Sequence, residues 1–161
     1  MATGVTIRKA TRADAAAIHR MVVDLARATG KLGAVSSTVD DIAREGFGDK
    51  PAFEALIAFD GEEAVGLALY FPEFSTWRGE RGVYLQDLYV AETARRAGLG
   101  RRLVEALAAE AGRQGAAYLR LSVDAANQRA AAFYERLGFA EMREDRMFIL
   151  KDARFEALRS K

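Results

Sequence analysis

The chain contains no cysteine and one histidine, His19, among its 161 residues. Without cysteine there is no disulfide, no thiolate metal ligand and no acyl-thioester on the protein itself. Such a chain suits a reducing compartment, and a cytoplasmic location is expected. One histidine leaves no room for a histidine metal cluster or a serine–histidine–aspartate triad, so no metal is expected either. Charge of one sign is also missing. Lysine and arginine number 24 against 23 acidic residues, for a net charge of +1, so neither nucleic acid nor an anionic membrane is expected as a partner. No apolar run approaches the ~20 residues of a membrane span, and the N-terminus lacks the apolar core of a signal peptide. What is present is a chain half hydrophobic by composition, enough for a sizeable core. The expectation is one soluble domain over residues 1–161.

Local pattern predicts a mixed α/β chain. Val5–Arg8 reads as a strand. Thr11-Arg12-Ala13-Asp14 is a helix-start signature, and Ile18, Met21, Val22 and Leu25 recur at helical spacing, giving a helix over residues 12–28 that Gly30 and Gly33 end. Ser37-Thr38-Val39-Asp40 starts a second helix running to Gly46 or Gly48. The stretches 53–59 and 64–71 flank Asp60-Gly61-Glu62-Glu63 as a β-hairpin. A loop carrying Pro72, Trp77, Gly79 and Gly82 leads to a strand over 83–90. Leu99, Leu103, Leu107 and Ala111 then stripe a helix over 98–113. A strand over 118–123, a helix over 128–137, a last strand over Met147–Lys151 and a short helix in the tail complete the pattern. The passage from the 83–90 strand through the helix to the 118–123 strand is a crossover, which calls for two adjacent parallel strands.

The segment Leu88 to Leu103 joins a strand to a helix through a turn with two arginines and two glycines. Glycines let backbone N–H groups approach an anion, a helix N-terminus adds open donors, and arginines add charge-assisted bonds. That chemistry binds phosphate; an ordinary glycine turn with solvated arginines fits the spacing as well. A Walker A loop would need Gly-Lys-Ser/Thr, and a dinucleotide fingerprint would need glycine where Leu103 stands. Arg95-Arg96-Ala97-Gly98-Leu99-Gly100 resembles the Gln/Arg-x-x-Gly-x-Gly/Ala coenzyme A loop of the GNAT superfamily of N-acetyltransferases. Asn127 to Phe139 resembles its second signature, Asn-x-x-Ala-x-x-Phe-Tyr-x-x-x-Gly-Phe. Arg8–Asp14, Gly46–Pro51, Ser75–Gly79 and Tyr84–Val90 are similar to its diamine (spermidine/spermine) N-acetyltransferase branch.

The resemblance implies the GNAT fold, a mixed central sheet whose parallel pair splays apart between flanking helices, and acetyl-coenzyme A as co-substrate. It implies that Leu88, Tyr89 and Val90 line the pantetheine, and that Arg95, Arg96, Ala97, Gly98, Leu99, Gly100 and Arg101 bind the pyrophosphate. Asn127 and Ala130 complete the coenzyme contacts; Asn127 also serves as a plain helix cap. Acetyl transfer needs a neutral amine, donors for the oxyanion and a proton for the leaving thiolate. By the same resemblance Tyr134 is the general acid; on the residues alone it packs beside Phe133. The branch carries Glu-Asp where this chain has Gln86-Asp87. Glutamine cannot take a proton, so Gln86 orients a group or a water, while Asp87 acts through water or by charge. Alternate strand residues point to opposite faces unless a bulge intervenes. His19 is the alternative base by its ordinary pKa, and its place off the apolar stripe predicts a solvated surface residue.

Trp77, Gln86, Asp87 and Ser122 are the acceptor-site residues, with Trp77 beside Phe71 and Phe74 serving either an amine pocket or a dimer seam. The branch has acids where this chain has Thr29, Ser75 and Gln86. A polycation needs several carboxylates to replace its water shell. The expected acceptor is therefore a small primary amine less charged than spermine, a short diamine or an amino-acid-like amine. A homodimer is expected by resemblance. The competing reading is a non-catalytic acyl-coenzyme A sensor on the same fold, which would have no need of Tyr134.

Overall fold

A computed structural model describes residues 4–160, the side chain of Arg96 excepted. The chain divides into two compact units, Met1–Ser122 and Val123–Lys161. In the first, the strands β1 (Thr6–Lys9), β2 (Glu54–Asp60), β3 (Glu63–Ser75), β4 (Glu80–Val90) and β5 (Ala116–Arg120) form one sheet in that spatial order. Every pairing is antiparallel except β4 with β5. Helices α1 (Ala15–Ala28), α2 (Val39–Phe47) and α3 (Leu99–Arg113) flank it.

Both helix starts are fixed by capping boxes, the first at Thr11–Asp14 as read in the sequence and the second at Thr38–Asp41, one residue later than the Ser37–Asp40 start expected. Thr11 N–H donates to Asp14 Oδ2 at 2.7 Å, in a short 3₁₀ turn that leads into α1. Arg8 on β1 forks onto the same carboxylate at 2.8 and 2.9 Å, which ties the sheet to the helix start and holds the Asp14 carboxyl below its usual pKa. Before α2, Thr38 and Asp41 exchange bonds of 2.8 and 3.2 Å. Arg44, and then Thr38, push the Asp41 pKa down to about 2. His19 is half-buried rather than solvated: its Nε2 donates to the Ser37 carbonyl at 2.7 Å, clamping α1 to the approach to α2.

The pleat sorts the sheet into two faces. Ala55, Ile57, Leu67 and Leu69 pack with Ile18 and Met21 of α1 and Ile42 of α2. The opposite face takes α3, whose Leu99, Leu103 and Leu107 are fully buried. Gly66 on β3 allows this approach, because a Cβ there would lie 2.9 Å from Leu103 Cδ1.

Three expectations are corrected. The residues up to Ser75 and from Glu80 on are strand and not loop; β2 begins at Glu54, opposite Tyr70, so Pro72 sits where β3 has a neighbour on one side only, a place that tolerates proline. β5 begins and ends earlier than 118–123, because its pairing with β4 stops at Tyr84↔Arg120. In the second unit, α4 (Gln128–Arg136) and α5 (Asp152–Arg159) form as expected, but Met147–Lys151 is not a strand. Met147, Phe148, Ile149 and Leu150 are apolar on both sides of a pleat, and no strand among the described residues pairs with them. No helix of the described residues is long and apolar enough to cross a membrane.

Candidate functional site

β4 carries the site in the first unit, and one irregularity defines it. Leu69 pairs with Asp87 and Tyr70 with Leu85, so Gln86 is an extra residue on β4, a β-bulge. Without it, Tyr84 and Asp87, three apart, would face opposite sides. With it, both share the face of Leu69 and Phe71, whereas Leu85 turns to the α3 side. Gln86 is exposed and Asp87 half-buried. Burial pushes the Asp87 carboxyl above its usual pKa, and no ion pair with the described residues offsets this.

β4 runs on past its last pairing with β5, from Tyr84 to Val90. On the β3 side Leu88, Tyr89 and Val90 pair with Ala68, Leu67 and Gly66. On the other side the ladder with β5 stops at Tyr84↔Arg120, where β5 itself ends, and no strand among the described residues pairs with the β4 edge beyond it. Directly beyond, Ala91 N–H is held by the Val65 carbonyl at 2.8 Å, and a 3₁₀ turn over Glu92–Ala97 leads to α3.

Gly98 takes φ 68°, a left-handed turn that suits glycine, and supplies no side-chain cap to α3. The first turn of α3 has no acid and carries Arg101 and Arg102. Cations at a helix N-terminus oppose its dipole, each by about 0.3–1 kcal/mol. An uncapped, cationic helix start is the donor set that fits a pyrophosphate. Arg95 donates to the Val90 carbonyl at 3.1 Å, Arg101 pairs with Glu105 at 2.7 Å and Arg102 tethers the Val5 carbonyl at 2.7 Å. Backbone amides, more than these engaged arginines, are therefore the standing anion donors. The Arg96 side chain lies outside the described residues.

Below Asp87 the same face carries residues that the sequence reading did not single out. Tyr84 stacks on Phe71 with ring centroids 5.0 Å apart, and its hydroxyl donates to Ser122 Oγ at 2.9 Å. Arg120 lies 5.3 Å over the Tyr84 ring and forks onto Glu73 at 3.0 and 2.8 Å. Only strand register brings Glu73, Tyr84 and Arg120 together, and no local motif marks them. Trp77, by contrast, is 98% exposed at the β3–β4 turn, roughly 20 Å along β4 from Asp87 by strand rise. It is not brought together with Gln86 and Asp87, while Ser122 stands beside Tyr84.

The second unit forms the other signature. Asn127 caps α4, its Oδ1 accepting from Ala130 N–H at 3.0 Å. Tyr134 is half-buried between Phe133 and Phe139, edge-on to both at 5.1 and 5.5 Å. Gly138 at φ 98° turns the chain so that Phe139 N–H reaches the Tyr134 carbonyl at 3.1 Å. The signature is thus a closed local fold that holds one phenol in place.

Comparison with known proteins places the chain in a family. The chain is 32% identical to the bovine thialysine N-epsilon-acetyltransferase over 148 residues, covering 87% of this chain and 86% of that one. It is 34% identical over 108 residues to the human spermidine/spermine N(1)-acetyltransferase-like protein 1, covering 63% of this chain and 15% of that longer one. The fold matches an integron cassette protein from the mobile metagenome of V. cholerae with a TM-score of 0.84 at 21% identity, over 100% of this chain and 99% of that one. The model of the acetyltransferase (GNAT) family matches residues 19–139. The chain belongs to the acetyltransferase (GNAT) family, and it is an N-acetyltransferase.

Proposed function

We propose that this N-acetyltransferase moves the acetyl group of acetyl-coenzyme A directly to the primary amine of a small molecule, a short diamine or an amino-acid-like amine. The observation that carries this reading is the bulge at Gln86. It sets a desolvated carboxylate, Asp87, on the sheet face that Leu69 presents to α1, just beyond the end of the β4–β5 ladder. The family uses acetyl-coenzyme A, and the residues fit it: the β4 edge from Leu88 to Val90 for the pantetheine amides, and the amides of Gly98, Leu99 and Gly100 for the pyrophosphate.

Asp87 pairs with the acceptor ammonium and, made more basic by burial, takes one proton from it to leave a neutral amine. The amine nitrogen attacks the thioester carbonyl, the carbon–sulfur bond breaks with its electron pair left on sulfur, and the nitrogen gives its second proton to water as the amide forms. Tyr134 supplies the proton for that sulfur. Gln86 holds the bulge and orients the acceptor. The two units act as one domain in this reading, supported by a family match that runs from 19 to 139 across both. A homodimer is part of it as well, supported by exposed apolar side chains in each unit.

The test is release of coenzyme A thiol with a panel of amines, followed by a colorimetric thiol reagent. The chain has no cysteine, so the protein itself adds no signal. One N-acetyl product per thiol with a short amine is expected; thiol release with none of the amines would overturn the reading.

A further inference from the structure

On the sheet face that carries Asp87, α1 and α2 pack against Leu67 and Leu69 of β3, and a group of aromatic residues lies farther down the strands. There Tyr84 and Tyr118 are half-buried beside one carboxylate, Glu73, whose side chain is 17% exposed. The end of the Tyr118 ring lies over Gly82, where a Cβ would come within 2.1 Å of its Cζ. Gly82 is the residue opposite Glu73, so the missing side chain lets the Tyr118 hydroxyl cross β4 and donate to that carboxylate. A half-buried carboxylate among tyrosine rings is the chemistry that holds an alkylammonium. The rings attract the cation and the carboxylate accepts its N–H groups.

Here that cage is filled from within the chain. Arg120 Nε and Nη2 donate to Glu73 Oε1 and Oε2 at 3.0 and 2.8 Å, and Arg120 Cζ lies 5.3 Å from the centre of the Tyr84 ring. The other side of the group is taken as well. Arg78, held by Glu80 at 3.0 Å, sets its Cζ 4.6 Å from the centre of the Tyr118 ring. Two guanidinia thus occupy the carboxylate and the rings that a bound ammonium would need. Glu73 stands four residues down β3 from Leu69, the partner of Asp87, roughly 13 Å by strand rise. A four-carbon diamine spans about half of that and meets Asp87 alone, whereas a tetraamine carries a far ammonium into the neighbourhood of Arg120.

Resting on the proposed transfer to a small amine, we infer that Arg120 is a built-in occupant of an ammonium cage made by Glu73, Tyr84 and Tyr118. It sets acceptor specificity by denying that cage to the far charge of a long polyamine. Such an acceptor meets a fixed cation and finds no carboxylate left to replace its water, so length beyond the first two amines brings no affinity. Arg120 is a specificity residue in this arrangement and touches neither the acetyl group nor the attacking nitrogen.

The test compares 1,4-diaminobutane with spermine in thiol release, and measures the binding of each by calorimetry. In the unaltered protein, kcat/KM for spermine should be no higher than for the diamine. Arg120→Ala empties the cage and should raise kcat/KM for spermine at least about 10-fold, through KM, while 1,4-diaminobutane stays within a few-fold. The calorimetric Kd for spermine should tighten in parallel, a readout that needs no turnover. Removing Arg78 as well, with Arg78→Ala, should enlarge the gain. Arg120→Lys keeps a cation in the cage and should show none, and adding Glu73→Gln to Arg120→Ala should abolish it. Arg120→Met keeps a long stem against the Tyr84 ring and should show the same gain if the alanine variant does not fold. No gain for spermine, equal gains for both amines, a gain that survives Glu73→Gln, or a parent protein that already prefers spermine would each overturn the inference. Turnover of no amine, with the spermine gain present in calorimetry, would instead overturn the acetyl-transfer reading and leave the cage standing.

Discussion

At the scale of single residues, the proposed chemistry rests first on a group whose surroundings oppose its ordinary charged state. That group is Asp87. Burial raises its pKa in the folded chain, so the fold disfavours its charged form, and the cost appears as pH rises from the unfolded carboxylate pKa through the raised one. Asp87→Asn removes that cost. The variant should be more thermally stable than the parent at pH 7 and no more stable at a pH below the unfolded carboxylate pKa, as melting temperatures would show. It should also lose roughly 100-fold in kcat/KM, and the acidic limb of the pH profile should vanish with the carboxylate. Loss of activity together with loss of stability would make Asp87 structural instead. Tyr134→Phe keeps the ring between Phe133 and Phe139 and removes only the hydroxyl. Turnover should fall roughly 100-fold while acetyl-coenzyme A affinity by calorimetry stays unchanged. Normal turnover would place the sulfur's proton source elsewhere. Tyr70 serves as a contrast, because its side chain is buried on the sheet face opposite the one that Asp87 shares with Leu69. Its hydroxyl is buried with no hydrogen-bond partner among the described residues, and burial pushes its pKa up. Tyr70→Phe should therefore leave stability equal or raise it by about 1 kcal/mol in urea unfolding, with activity intact.

At the scale of elements, the sequence made most of the fold legible wherever a local rule decides it. The Thr11–Asp14 capping box, the leucine stripe of α3 and the Asp60–Glu63 turn all express short-range physics, and each stands where the pattern put it, while the second box falls one residue late at Thr38–Asp41. The turn proposed to hold the coenzyme was legible in its backbone for the same reason: a glycine at φ 68° and an uncapped helix start are written in neighbouring residues. Gly100→Val tests that loop as an element. Gly100 is the second residue of α3, and an added side chain there would obstruct approach to the N-terminal amides. Acetyl-coenzyme A binding by calorimetry should be lost while helix content by circular dichroism is kept; retained affinity would remove the loop from the site. Non-local facts were not legible. The bulge at Gln86 depends on how β3 registers against β4, and the Glu73–Arg120 fork depends on three strands at once. The strand expected at Met147–Lys151 failed on the other side of the same rule. A strand exists only with a ladder partner, and apolar patterning cannot say whether one is offered.

At the scale of the whole molecule, the argument concerns what covers apolar surface. Phe74 and Trp77 are 60% and 98% exposed in the first unit, and Phe148 is 85% exposed in the second, with Met147 and Ile149 close behind. Side chains of this size in water forgo roughly 1.5–3 kcal/mol each of burial, and contiguous apolar surface marks sites of association. Phe71, expected among the seam aromatics, is instead committed to its stack with Tyr84. A second copy of the chain covering the rest is the proposed arrangement. Light scattering at micromolar concentration should report about twice the 17.6 kDa chain mass. Phe148→Asp with Ile149→Asp should return the single mass, because each carboxylate would have to be desolvated at the seam. Trp77 is the only tryptophan, so its emission is a direct reporter of its own turn. If that turn lies in the seam, the emission shifts to the blue as concentration rises. A dimeric mass with an unshifted Trp77 would place the seam at Met147–Ile149 alone, and a single mass at every concentration would remove the dimer.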